Sequence, residues 1–151
     1  TVAVRLATLD GAGQSIGTVT VTESRYGLVF TPALKDLAPG IHGFHLHDKA
    51  QCGPGPDAAT GEMIPGGAAG GHWDPEKTGK HGFPWDDNGH KGDLPPLYVT
   101  ADGTASTPVL APKLKKVSEL SGHSLMIHEG GENFSDHPKA NGGGAGRIAL
   151  S

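Results

Sequence analysis

The sequence predicts an all-β domain, and three observations carry the prediction. Short runs of alternating apolar and polar residues recur between clusters of turn residues. Stripes of apolar residues at helical spacing are hard to find. Glycine and proline punctuate the chain heavily, at 25 and 12 residues, while aromatics make up only 5%. The length of 151 residues fits one domain with its own core, so residues 1–151 are read as a single domain. No apolar run approaches the ~18 residues of a membrane helix. The formal net charge of −4 argues against a nucleic-acid partner. The chain starts directly on a strand-like pattern, so any signal peptide has been removed or never existed.

Taken in order, Val2, Val4 and Leu6 alternate with Ala3, Arg5 and Ala7 as a half-buried strand. Asp10–Gly13 reads as a turn, and the β-branched run Ile16–Thr22 completes a hairpin. Tyr26–Phe30 is a third strand, expected to stop near Pro32. Pro39-Gly40 then introduces Ile41–His47, where Phe44 and Leu46 point to one face and His45 and His47 to the other. Two imidazoles one strand repeat apart can grip one metal ion from a rigid platform. Residues 48–93 read as a long loop, rich in Gly, Pro, Asn and Asp. A loop of that length in a small domain is uncommon unless it is functional. Leu97–Thr100 resumes as a strand, Asp102-Gly103 as a hairpin turn, and Thr104–Val109 as the returning strand. Lys113–Leu120 is expected to hold a short helical turn. In Gly122–His128, Leu125 and Ile127 should face the core, and Ser124, Met126 and His128 the outside. A glycine-rich loop from Gly130 to Gly144 carries Asp136, and Gly146–Ser151 closes the chain.

Nine histidines are the compositional anomaly. His72, His81 and His90 follow one another at equal spacing in the long loop, with Asp93 just after. Three imidazoles and a carboxylate make a complete tetrahedral zinc shell. With His45, His47 and His128, the candidate ligands number seven, too many for one tetrahedral ion. They divide into two groups of four if one imidazole is shared. Imidazole-only coordination with an open position suits copper, and the set that includes Asp93 suits closed, structural zinc. His42 and His123, at the starts of strands, read as hydrogen-bonded structural residues, and His137 as a solvated one.

The motifs Gly43-Phe44-His45-Leu46-His47, Gly71-His72-Trp73-Asp74-Pro75, Lys80-His81-Gly82, Gly89-His90-Lys91-Gly92-Asp93 and Met126-Ile127-His128, with the late Arg147, occur in this order. In them the sequence resembles the copper,zinc superoxide dismutases of the bacterial periplasmic type, over nearly its whole length. The resemblance implies an eight-stranded Greek-key β-barrel, a flattened sandwich with long metal-binding and electrostatic loops. It implies copper on His45, His47, His72 and His128, zinc on His72, His81, His90 and Asp93, and His72 as the bridge. It implies Asp136 as the carboxylate behind His45 and His81, where such groups fix ring orientation. The activity implied is conversion of two superoxide anions to dioxygen and hydrogen peroxide by alternating Cu(II) and Cu(I), with Arg147 attracting the anion. The non-catalytic alternative is a periplasmic copper- and zinc-binding protein on the same fold. A mononuclear zinc hydrolase fails on a count, because Asp93 fills the shell. Tyr26, Trp85 and Pro108 resemble positions at a homodimer interface. The family also joins its first long loop to its last strand by a disulfide. Cys52 matches the loop partner, but Leu150 stands where the second cysteine is expected, three residues after Arg147.

Overall fold

Alternation carries the first third of the chain into three antiparallel strands, β1 (Val2–Thr8), β2 (Gly11–Ser24) and β3 (Gly27–Leu34). The computed structural model describes residues 1–9, 11–57, 60–132, 134–135 and 147–150, with 11, 12 and 148–150 described as backbone only. The turn expected at 10–13 is shorter than the glycines suggest, because β2 begins at Gly11 and pairs with Thr8. Register shifts on either side of Arg5 absorb the extra residues, as bulges do. β3 also runs past Pro32 instead of stopping there. The reason is the direction of the missing donor. Leu34 N–H donates to Ala105 O at 3.0 Å, away from β2, and backbone donors two residues apart point the same way. Pro32 therefore lacks its N–H on the outer side of the strand, beyond the Leu28–Phe30 stretch that pairs with the next strand.

After β3 come β4 (Gly40–His42) and β5 (Phe44–His47), one run interrupted at Gly43. β6 (Gly55–Pro56) and β7 (Met63–Ile64) form a small ribbon within the long loop. β8 (Leu97–Val99), β9 (Val109–Ala111), β10 (Ser124–His128) and β11 (Arg147–Leu150) complete the set. The return from the Asp102-Gly103 turn differs from the expected hairpin strand. Ala105 bridges to Leu34, and regular pairing resumes only in β9, against β3. The helical turn expected between 113 and 120 is a 3-10 turn at Val117–Leu120.

One sheet orders seven strands as β5-β10-β11-β1-β2-β3-β9, and β4 pairs with β8. Counting β4 and β5 as one bent run gives the eight strands of the expected all-β Greek-key sandwich. Its interior is apolar. Val4, Ile16, Val19, Leu28, Phe30, Phe44, Leu46, Leu97, Leu114, Leu125 and Ile127 belong to one buried cluster. Phe30 and Phe44 meet edge to face at 5.6 Å, a favoured aromatic geometry.

The outer faces of β5 and β10 are not solvated. Every residue of both strands is buried, His45 and His47 at 0% exposure and Met126 at 0%. The long loop lies over them. Met126 packs with Ala69, against Ala7 and Cys52, in a second small cluster outside the main core.

Candidate metal centre

The site is assembled along the open edge of β5. Its other edge is taken by β10, in a register that sets Met126 opposite His45 and Ser124 opposite His47. On the open edge, Leu46 N–H donates to Gly92 O at 2.9 Å, and Leu46 O accepts from Trp73 N–H at 2.8 Å. Two separate stretches of the loop thus dock on one residue of the strand. Bridges between His47 and His72, and between His45 and Asp93, follow from that docking. Gly92 permits the approach, since a Cβ there would collide with the Leu46 carbonyl. Strand alternation and loop docking together place four candidate ligands, His45, His47, His72 and Asp93, side by side, although they come from positions far apart in sequence.

Two overlapping groups converge. His45, His47, His72 and His128 place one ligand atom each within 4.8 Å of the others, as do His45, His72, His81 and Asp93. His90 joins the second group through Asp93. His72 Nδ1 and His90 Nδ1 each lie 3.2 Å from Asp93 Oδ1, and His81 Nδ1 lies 2.8 Å from the same oxygen. On its other side the His72 ring faces His47 and His128, with centroids at 4.9 and 5.7 Å. The second pair is itself close, His47 Nε2 and His128 Nε2 being 3.3 Å apart. His45 and His72 belong to both groups, and of the two only His72 also lies within 3.2 Å of Asp93 Oδ1 among the described contacts. The His72 side chain is 3% exposed.

Partners on the far nitrogens set the tautomers. His45 Nε2–H donates to Glu132 Oε1 and His81 Nε2–H to Glu132 Oε2, both at 2.5 Å. His47 Nδ1–H donates to Gly70 O at 2.9 Å. For His45 and His47 the bond leaves the opposite ring nitrogen as a lone pair facing the cluster. The carboxylate behind His45 and His81 is therefore Glu132. Asp136, to which the resemblance gave that role, lies outside the described residues, as does His137. The signal that could have found Glu132 is its position four residues beyond His128, where the chain leaving β10 still borders the site. His42 and His123 serve the backbone. The His42 ring lies 2.7 Å from both His128 O and Ala38 O, and His123 Nδ1 lies 2.8 Å from Asp48 O.

The electrostatics suit metal ligation. Burial, reinforced by neighbouring imidazoles, pushes the pKa values of His45, His47 and His72 well below the ordinary histidine value, so these rings are neutral ligands. For His81 burial works in the same direction, but hydrogen bonds to Asp93 and Glu132 outweigh it and raise the pKa to about 9. Burial alone would raise the Asp93 pKa, yet bonds from His72, His81 and His90 hold it well below the carboxylate range.

A direct test of fit is His45 Nδ1, a buried nitrogen with no hydrogen-bond partner. Such an orphan in a polar cluster is costly unless something else satisfies it, and a metal ion does. Three Nδ1 atoms also gather around one Asp93 oxygen, an arrangement in which a cation would replace the ring protons that face the carboxylate. The residues fit two ions.

Arg147, the first residue of β11, lies opposite His128 in the sheet. Its Nη1–H donates to Gly66 O at 3.0 Å, which ties the guanidinium to the covering loop. Burial lowers its pKa, with Asp57 opposing, but a guanidinium stays charged. Its field is among the influences that lower the His47 pKa, so the cation acts on the four-histidine side of the site.

Comparisons with known proteins agree with this geometry. Residues 15–151 match the family described as Copper/zinc superoxide dismutase (SODC). A Superoxide dismutase [Cu-Zn] of Haemophilus ducreyi is 57% identical over 141 residues, covering 93% of this chain and 70% of the relative. A Superoxide dismutase [Cu-Zn] 1 of Salmonella typhimurium is 57% identical over 150 residues, covering 99% and 84%. Among solved structures, the Cu/Zn superoxide dismutase from Brucella abortus superposes with a TM-score of 0.93 at 45% identity, covering 98% of this chain and 94% of that one. The solution structure of the monomeric copper, zinc superoxide dismutase from Salmonella enterica gives 0.84 at 50% identity, with the same coverage. With its all-β sandwich, its paired histidine groups and these matches, the chain belongs to the copper/zinc superoxide dismutase family.

Proposed function

We propose that the protein dismutes superoxide, turning two anions and two protons into dioxygen and hydrogen peroxide. The observation that carries the reading is the pair of adjoining ligand groups that overlap at His45 and His72, one of imidazoles alone and one centred on Asp93. His45, His47, His72 and His128 would hold copper, and His72, His81, His90 and Asp93 zinc. Bound copper supplies the one-electron chemistry, and bound zinc a fixed charge and a fixed geometry. The chain supplies the rest. Glu132 orients the His45 and His81 rings through their Nε2–H groups. Gly70 O orients His47 in the same way. The loop carrying Gly70–Trp73 covers β5 and excludes water from the rings. Arg147, anchored by Gly66 O, presents a positive charge that draws a small anion toward the four-histidine group despite the chain's net charge of −4.

Metal analysis after gentle purification, paired with a superoxide dismutation assay, tests the reading. Copper and zinc are expected in equal amounts, with activity lost on copper removal and regained on its return. Both metals bound without dismutation would leave a carrier or store, and sink the catalytic reading. Arg147 has its own test. Arg147→Ala should lower the dismutation rate several-fold and flatten its dependence on ionic strength, because salt screens the long-range attraction that the guanidinium provides. An unchanged salt dependence removes Arg147 from the anion path.

The resemblance also supports a periplasmic location, which cell fractionation tests, and a homodimer. Tyr26 and Trp85 are 59% and 65% exposed, and Pro108 is exposed as well. Trp85 stacks on Phe83 at 4.8 Å, so the large exposed ring is held in place. Rigid exposed aromatics are enriched at interfaces. Sedimentation of the parent at micromolar concentration should give a dimer and Trp85→Glu a monomer. A monomeric parent, as described for the Salmonella enterica protein, would overturn the dimer.

A further inference from the structure

Outside the ligand groups, a lysine side chain reaches from the barrel to the backbone of the loop that carries His90 and Asp93. It is Lys113, on the connection between β9 and the 3-10 turn at Val117–Leu120. Its Nζ donates to His90 O at 2.6 Å and to Asp86 O at 3.1 Å. Neither carbonyl is an idle acceptor. His90 O also accepts from Asp93 N–H at 3.1 Å, and Asp86 O from Gly89 N–H at 3.1 Å. Each bond closes a four-residue turn. One ammonium therefore ties together the turn Asp86–Gly89 and the turn His90–Asp93, and the second of these presents both a ring and a carboxylate to the proposed zinc shell.

The other end of the clamp is fixed. Leu114, the next residue, is fully buried in the main core, and its carbonyl accepts from Leu28 N–H at 2.9 Å. Lys113 also lines a cavity of about 340 Å³ with Glu76, Asp87, Gly89 and Lys91. Lys91 makes a useful contrast. Its ammonium pairs with Glu119 at 3.1 Å and lies 5.2 Å from the Trp73 ring centre, so it links side chains and not the two turn carbonyls that Lys113 bonds.

We infer that Lys113 is a positioning residue for the zinc site, holding the His90–Asp93 turn in ligating geometry through the two carbonyls it caps. This rests on the assignment of His72, His81, His90 and Asp93 to zinc. A charged donor to a carbonyl is stronger than a neutral one, and Lys113 adds it to a short turn whose Gly92 also bonds to Leu46 and Trp73 and whose His90 N–H donates to Lys80 O. Partners that orient metal ligands are generally worth about 10–100-fold in metal affinity.

The test is zinc affinity, measured by competition with a coloured chelator in Lys113→Met, Lys113→Arg and Lys91→Met. Lys113→Met keeps the stem and removes the donor. It should weaken zinc binding about tenfold or more, with copper retained as in the parent. Co(II) placed in the zinc site should show a shifted d–d band in that variant. Lys113→Arg restores a charged donor and should recover most of the affinity, whereas Lys91→Met, on the same cavity, should bind zinc as the parent does. If Lys113→Met aggregates, Lys113→Gln takes its place with the same outcomes. A parent that binds zinc beside a Lys113→Met variant that binds it equally well, with an unshifted Co(II) band, overturns this inference alone. Equal weakening in both lysine variants overturns it too, since charge and not position would then be responsible. A parent that retains no zinc sinks the zinc assignment beneath it.

Discussion

His128→Ala should abolish dismutation while zinc stays bound and the sandwich stays folded. The ring closes the four-histidine group, with Nε2 3.3 Å from His47 Nε2 and its centroid 4.9 Å from that of His45. The backbone duties of the residue do not need the ring. His128 N–H donates to Gly43 O at 2.8 Å, and His128 O meets the His42 ring at 2.7 Å, and alanine keeps both. None of the four residues assigned to zinc is replaced, and only His72 among them loses a ring neighbour. Loss of a group that merely orients a ligand costs about 10–100-fold, so loss of a ligand should exceed the upper end of that range. The dismutation assay, metal content and far-ultraviolet circular dichroism read the three parts separately. Full activity in His128→Ala would refute the copper assignment.

Leu150→Cys should bridge to Cys52 under oxidising conditions and raise the melting temperature. Cys52, the chain's only cysteine, is half-buried and packs in the small cluster with Met126 and Ala69. Position 150 pairs directly with Met126 in the sheet, so its backbone lies beside that cluster. Closing a loop of about a hundred residues stabilises by ~4–5 kcal/mol on the chain-entropy account, and by less once strain enters. Removing the leucine works against this by roughly 1–3 kcal/mol. The entropy should win by a couple of kcal/mol, equivalent to several degrees for a chain of this size. The oxidised variant is expected to melt above both its reduced form and the parent. Two free thiols after oxidation would mean that residues 52 and 150 are not adjacent.

Much of this was legible in the sequence because it depends on local periodicity. The alternation in Phe44-His45-Leu46-His47 gave both the apolar inward face and the paired imidazoles, and it needed no knowledge of distant contacts. What escaped depends on which segment lies against which. Read alone, His45, His47, Met126 and His128 belong to an outer face, and only the docking of Gly71–Trp73 and Gly92 on β5 makes that face an interior. Pro32 looked like a strand end because its missing donor is harmless only when it points away from β2. Glu132 and Asp136 are chemically alike and four residues apart, so composition could not choose between them. Lys113 carries no signal at all in sequence, since a lysine that caps carbonyls reads as any solvated lysine.

The two faces of β5 make heavy demands on one another. Side chains alternate with a period of two, so a slip of one residue against β10 would turn both imidazoles into the apolar interior and send Phe44 and Leu46 out among the ligands. A chain misassembled in this way could neither close its core nor accept an ion. Folding and metal loading thus proofread the same alignment, and ion uptake becomes a readout of correct strand registry.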